Sequence, residues 1–113
     1  MTVALKRAYE AASDSDGTRV LVDRLWPRGV TKAKARIDVW LKDVAPSTQL
    51  RKWFGHDPGK WTGFQQRYRA ELKGSEALAE LRKLAREGHV TLVYGAKDEE
   101  HNDAVVLAKL LRR

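Results

Sequence analysis

The sequence predicts an α/β domain built on a small, mainly parallel sheet flanked by helices. Three observations carry that prediction. Two short runs, Val20-Leu21-Val22 and Val90-Thr91-Leu92-Val93-Tyr94, are rich in β-branched residues, as strands buried on both faces are. Between them, apolar residues recur at three- and four-residue spacing, the mark of amphipathic helices. Strands joined through long helical connections ordinarily lie parallel in one sheet. The 113-residue chain has the length of one domain, read here as residues 1–113.

The elements follow in order. Val3–Tyr9 alternates, with Val3, Leu5, Arg7 and Tyr9 on one face, and reads as a first strand. Ala12–Thr18 is rich in Asp, Ser and Gly and reads as a loop. Arg19–Leu25 is a second strand, ended by Pro27, which has no N–H for a ladder, and by Gly29. The loop between the two is short enough for a hairpin, so their relative direction stays open. Ile37, Trp40 and Leu41 are spaced as a short helix.

After Pro46, Ser47 or Thr48 caps a helix carrying Leu50, Trp53 and Phe54. Asp57, with Pro58 at the first helical position, suits the start of the next, which carries Trp61, Phe64, Tyr68 and Leu72. Ser75 caps a helix with Leu78, Leu81 and Leu84, and Gly88 ends it. After the Val90–Tyr94 strand, Asp98 reads as the cap of a last helix with Leu107, Leu110 and Leu111. Glu99 and Glu100 suit its electropositive first turn.

Composition narrows the chemistry. The absence of cysteine excludes disulfides, thiolate zinc sites and a cysteine nucleophile, and suits a reducing cytoplasm. No apolar run approaches the roughly 18 residues of a membrane span, and Met1 to Arg7 has no signal-peptide pattern. A cytoplasmic protein without membrane attachment is the expectation. The net charge of +7 favours anionic partners: phosphates, acidic metabolites or nucleic acid. Neither GxGxxG nor GxxxxGK[ST] occurs, so P-loop nucleotide hydrolysis is not expected.

In open α/β sheets, ligands bind beyond the carboxyl ends of the strands. Asp23, Arg24, Trp26, Pro27 and Arg28 follow the second strand, and Lys97, Asp98, His101 and Asn102 follow Val90–Tyr94. If those strands are parallel neighbours, the two sets meet on one rim.

Three segments also carry a resemblance. VLVDRLWPRG at 20–29, APSTQLRKWFGHDPGKW at 45–61 and YGAKDEEHNDAVVL at 94–107 are similar to the signatures of the YeaO-like family, domain of unknown function 488. The similarity runs over nearly the whole chain. It implies a bacterial or archaeal cytosolic protein with a small α/β fold, and supplies no reaction. Gly95 stands where similar sequences carry alanine. More distant relatives carry cysteine near the last strand and helix, and this chain has none.

Each candidate residue has a bland alternative. A guanidinium binds phosphate or carboxylate bidentately, so Arg24 and Arg28 are ligand candidates. Each could instead pair with Asp23 or Asp43 and order the loop. Trp26 either stacks on a ligand ring or packs within its loop. His56 and His101 titrate near neutral pH and are the candidate acid–base residues. His56 is otherwise a loop residue beside a capping Asp57. His101 in a first helical turn is favoured neutral, with Lys97 beside it either holding an anion or pairing with Glu99 or Glu100. Asp98 and Asn102 complete the ligand-binding set. His56, His101 and Asp98 lack a diagnostic metal spacing, so neither metal nor cofactor is assigned. Ser47 is a cap before it is a nucleophile.

These residues imply a protein that binds a small anionic ligand, either an enzyme or a binder, with its pocket at the strand ends. A nucleic-acid-associated protein is the first alternative, from stretches such as Arg51-Lys52-Trp53-Phe54 and Arg67-Tyr68-Arg69 that mix cations with stacking rings. Helical spacing places Trp53, Phe54 and Tyr68 in the core, however, and no reader motif is present. A non-catalytic protein-interaction module is the second alternative. Oligomeric state is left open.

Overall fold

A computed structural model describes residues 2–112. Among them lie four strands and five α-helices. The strands are β1 (Val3–Arg7), β2 (Thr18–Leu21), β3 (Val39–Trp40) and β4 (Val90–Tyr94). The helices are α1 (Lys32–Ala35), α2 (Thr48–Phe54), α3 (Trp61–Leu72), α4 (Glu76–Glu87) and α5 (Asp103–Leu111).

The sheet is parallel throughout, in the order β1-β4-β2-β3. The open question about the first two strands is thereby settled. β4 inserts between β1 and β2, pairing Leu5 with Leu92 and Leu92 with Val20. All five residues of β4 are buried, as its unbroken apolar run requires of a central strand.

Alternation along each strand divides the side chains between two cores. Val3, Val20, Val22, Val90, Leu92 and Tyr94 join the buried stripes of α2, α3, α4 and α5. On the other face Ala8, Leu21 and Val93 meet Trp26, Ile37 and Trp40. That second face also carries an ion-pair network. Arg19 in β2 is 2% exposed and donates through Nη1 to Asp16 Oδ2 at 2.6 Å and through Nε to the Ala35 carbonyl. Lys6 in β1 donates to Asp16 Oδ1 at 2.9 Å.

Helix starts behave as local chemistry dictates. The hydroxyls of Ser47 and Ser75 accept the N–H of Leu50 and Leu78. Asp57 accepts from the Gly59 N–H at a 3-10 turn, Pro58–Lys60, that leads into α3.

Two readings are corrected. Ile37, Trp40 and Leu41 are not helical. A one-turn α1, capped by Thr31, stops at Arg36 with φ of 47°, and Val39-Trp40 then pairs with β2. Asp38 and Arg19 fix that register: the Asp38 N–H donates to the Arg19 carbonyl and its carboxylate accepts the Arg19 N–H. Leu41 then enters the helix-side core, while Ile37 and Trp40 pack on the opposite face. The last helix starts at Asp103, with Asn102 as its cap, rather than at Asp98. Asp98 instead closes the preceding turn, accepting the N–H groups of Glu100 and His101.

Among the described residues no helix is long and apolar enough to cross a membrane.

Candidate functional site

Beyond the carboxyl ends of β2 and β4 the chain departs in two directions. After β2 it turns to the face holding Trp26 and Trp40, and after β4 it leads to α5 on the helix side. The crevice between these departures is where ligands bind in open α/β sheets. It holds a pocket of about 330 Å³. Asp23, Arg24 and Leu25 come from the segment after β2, and Gly95 and Ala96 from the segment after β4. Arg51 and Phe54 come from α2, and Asn102 and Asp103 from the start of α5. Ala45, Pro46, His56, Phe64 and His101 complete the wall.

Two arginines enter this pocket incompletely satisfied. Among the described residues four buried side-chain nitrogens lack a hydrogen-bond partner, and two of them, Arg24 Nε and Arg51 Nε, belong to its lining. A buried charged donor without an acceptor costs free energy.

Two carboxyl groups, Asp23 and Asp103, face each other across the same space. Asp23 Oδ2 accepts the Gly95 N–H at 2.8 Å, and Asp103 Oδ1 accepts the Ala104 N–H at 2.9 Å. Burial, reinforced by the Asp23 charge, raises Asp103 well above the usual carboxylate range. The α5 N-terminus would favour a charged Asp103, but desolvation and the facing carboxylate win. Burial raises Asp23 as well, against the pull of hydrogen bonds from Asp103 and Gly95 and the charges of Arg51 and His56. Full ionisation of both carboxyl groups at once is therefore disfavoured. Gly95 fits this packing, since a Cβ there would sit 3.3 Å from Asp23 Oδ2.

His101 is the lining residue that Asp98 contacts. Its Nδ1 lies 2.9 Å from Asp98 Oδ2, and its ring stands edge-on to Trp61 at 5.2 Å. Hydrogen bonds from the Glu100 N–H, and then from His101, hold the Asp98 carboxyl below its ordinary value. His56 is exposed on the opposite rim in a left-handed conformation, φ 56°, with its ring 6.4 Å from Phe54.

Of the residues singled out in the sequence, the pocket gathers Arg24, His56, His101 and Asn102. Asp98 acts through His101. Trp26 donates to the Val30 carbonyl and packs on Trp40 at 5.5 Å, away from the lining. Arg28 and Lys97 are exposed and outside the lining. Sequence reasoning missed the pocket roles of Asp23, Arg51 and Asp103. Asp103 reads as an ordinary first-turn acid, and Arg51 as the solvated side of α2. Only the pairing of β2 beside β4 brings them together.

Arg67 lies 4.0 Å and Lys60 5.3 Å from the ring centroid of Trp53. Among the described residues no group of three His, Cys, Asp or Glu side chains has metal-binding geometry.

A family model described as the inactive DUF488-N3 subclade matches residues 2–113. The chain belongs to the YeaO-like DUF488 family. The uncharacterized protein YeaO of Escherichia coli is 43% identical over 113 residues, covering 99% of this chain and 98% of that one. An uncharacterized protein of Mycobacterium tuberculosis is 48% identical over 109 residues, covering 96% of this chain and 92% of its own. No solved structure matches. All of the pocket's lining residues except Phe64 lie in the three segments that carry the resemblance.

Ser47 in the second of those segments is a cap. Its hydroxyl accepts from Leu50 and donates to Glu71 Oε2 at 2.5 Å. Ser47→Ala is expected to lower stability by about 1 kcal/mol, read by urea denaturation, and to leave ligand affinity at the pocket unchanged.

Proposed function

We propose that this DUF488 protein binds a small organic anion through a phosphate or carboxylate group, in the pocket beyond β2 and β4. The observation that carries the reading is the pair of buried, unpartnered Nε atoms on Arg24 and Arg51. Arg24 and Arg51 both line the pocket, and burial disfavours full ionisation of the two aspartates that face them, which favours an anionic ligand. A forked guanidinium matches the oxygens of phosphate and carboxylate geometrically as well as in charge.

Binding without turnover is the form supported best. The chain has no cysteine, and its pocket lining contains no serine, threonine or lysine to act as a nucleophile. The matching family model is itself described as inactive. His101, oriented by Asp98, then serves as a hydrogen-bonding group at the rim.

Isothermal titration calorimetry with inorganic phosphate and citrate tests the proposal. Wild type is expected to bind at least one of them saturably, and Arg51→Gln and Arg24→Gln each to weaken that binding about tenfold or more. Equal affinities in wild type and both variants would remove the reading. Binding confined to oligonucleotides, with affinity falling steeply as salt rises, would mark the basic helical surface as the active one instead.

A further inference from the structure

We propose that the anion carries hydroxyl groups as well, and that the pocket is built for a sugar phosphate, with the phosphate on Arg24 and Arg51 and a hydroxyl on the Asp23–Asp103 pair. This rests on the anion-binding reading and names the ligand class it takes.

Asp23 and Asp103 both line this one small volume, and with full ionisation of the two disfavoured they offer acceptor lone pairs and a donor together. A hydroxyl both donates and accepts, so it matches both. A carbonyl or ether oxygen only accepts, and would leave part of the pair unmatched. An ammonium would match the charge of a carboxylate. Here, however, Arg51 and His56 already face Asp23, and burial disfavours full ionisation of the two carboxyl groups. A neutral polyol fits that balance better than a cation.

Two further features agree. Each aspartate is anchored by a backbone N–H, Asp23 by Gly95 and Asp103 by Ala104, so the pair is held in place before any ligand arrives. The pocket's 330 Å³ lies near the small end of the roughly 300–1,000 Å³ typical of ligand sites. That volume suits a phosphorylated monosaccharide. Ala45, Pro46, Phe54 and Phe64 supply an apolar wall on which the C–H face of a sugar ring can rest.

Calorimetric titration with ribose 5-phosphate, glucose 6-phosphate and ethyl phosphate tests this. Ethyl phosphate has the anion without hydroxyls. At least one sugar phosphate is expected to bind about tenfold or more tightly than ethyl phosphate, the worth of one good hydrogen bond to a charged group. Asp103→Ala is expected to collapse that preference. Asp103→Leu, similar in size and without a donor or acceptor, serves the same comparison if the alanine variant does not fold. If the sugar phosphates and ethyl phosphate bind alike, this inference fails and anion binding stands. A preference that survives in the Asp103 variants also overturns it. If none of the three binds, this inference falls, and the titrations with phosphate and citrate decide the anion-binding reading.

Discussion

Asp16→Ala is expected to lower the stability of the protein by about 3–5 kcal/mol, the typical cost of removing one partner from a buried ion pair. Asp16 is 6% exposed and is the acceptor that Arg19 and Lys6 share on the second sheet face. Without it, the Arg19 guanidinium stays buried with only the Ala35 carbonyl as partner. Domains of this size are stable by only about 5–15 kcal/mol, so the variant sits near its threshold. The double variant Asp16→Ala/Arg19→Met removes the stranded charge and should recover much of the loss.

The same carboxylate predicts an acid limb. Burial alone would raise Asp16, but hydrogen bonds from Lys6, the Ser13 N–H and Arg19 outweigh it and hold the group at about 2. Between its unfolded value near 3.8 and about 2, the unfolded chain binds more protons than the folded one. The contribution is therefore present above pH 4 and is lost as pH falls toward 2. By linkage it amounts to about 2 kcal/mol. Urea denaturation at pH 7 and across the acid range reads both effects. A variant as stable as wild type at pH 7 would show that the network contributes nothing.

Asp103→Asn is expected to do the opposite and raise stability at pH 7, by about 1–2 kcal/mol. Burial raises both Asp23 and Asp103, and the Asp23 charge raises Asp103 further, so the folded pair holds on to protons that the unfolded chain gives up. The folded state thus binds more protons, and stability falls as pH rises above the unfolded carboxylate range near 4. An amide removes that penalty while keeping an acceptor for the Ala104 N–H. The gain should be present at neutral pH and vanish below about pH 4, where the wild-type carboxyls are protonated in both states. Urea midpoints at pH 3.5 and pH 7 separate this from a uniform effect on the helix cap. A loss of stability at pH 7 would mean that Asp103 is ionised and paired. A stabilising substitution at a pocket residue is also what a ligand-binding role for that residue leads one to expect.

Legibility in the sequence followed the range of the interactions. Val90–Tyr94 was readable to the residue, because an unbroken apolar run between a Gly-His pair and Gly95 fits a central strand. The caps Ser47, Asp57 and Ser75 were readable because each bonds to an N–H two or three residues away. Val39-Trp40 was not. Its helical spacing is real, but β2 pairs with it through Asp38 and Arg19, which no local pattern reveals. The pocket was half legible. Arg24, His56, His101 and Asn102 stand out as polar residues at loop positions. Asp103 and Arg51 look like ordinary helix-surface residues until the sheet order sets Asp23 beside them.

The most direct measurement is a phosphate titration of the 15N-labelled protein, followed through the arginine Nε–H resonances. Buried Nε–H groups exchange slowly and can be observed one by one, assigned with Arg24→Lys and Arg51→Lys. The account predicts that the Arg24 and Arg51 signals shift together and saturate, while those of exposed arginines such as Arg28 move little. Signals from Arg24 and Arg51 that stay fixed while exposed arginines drift with phosphate would contradict it.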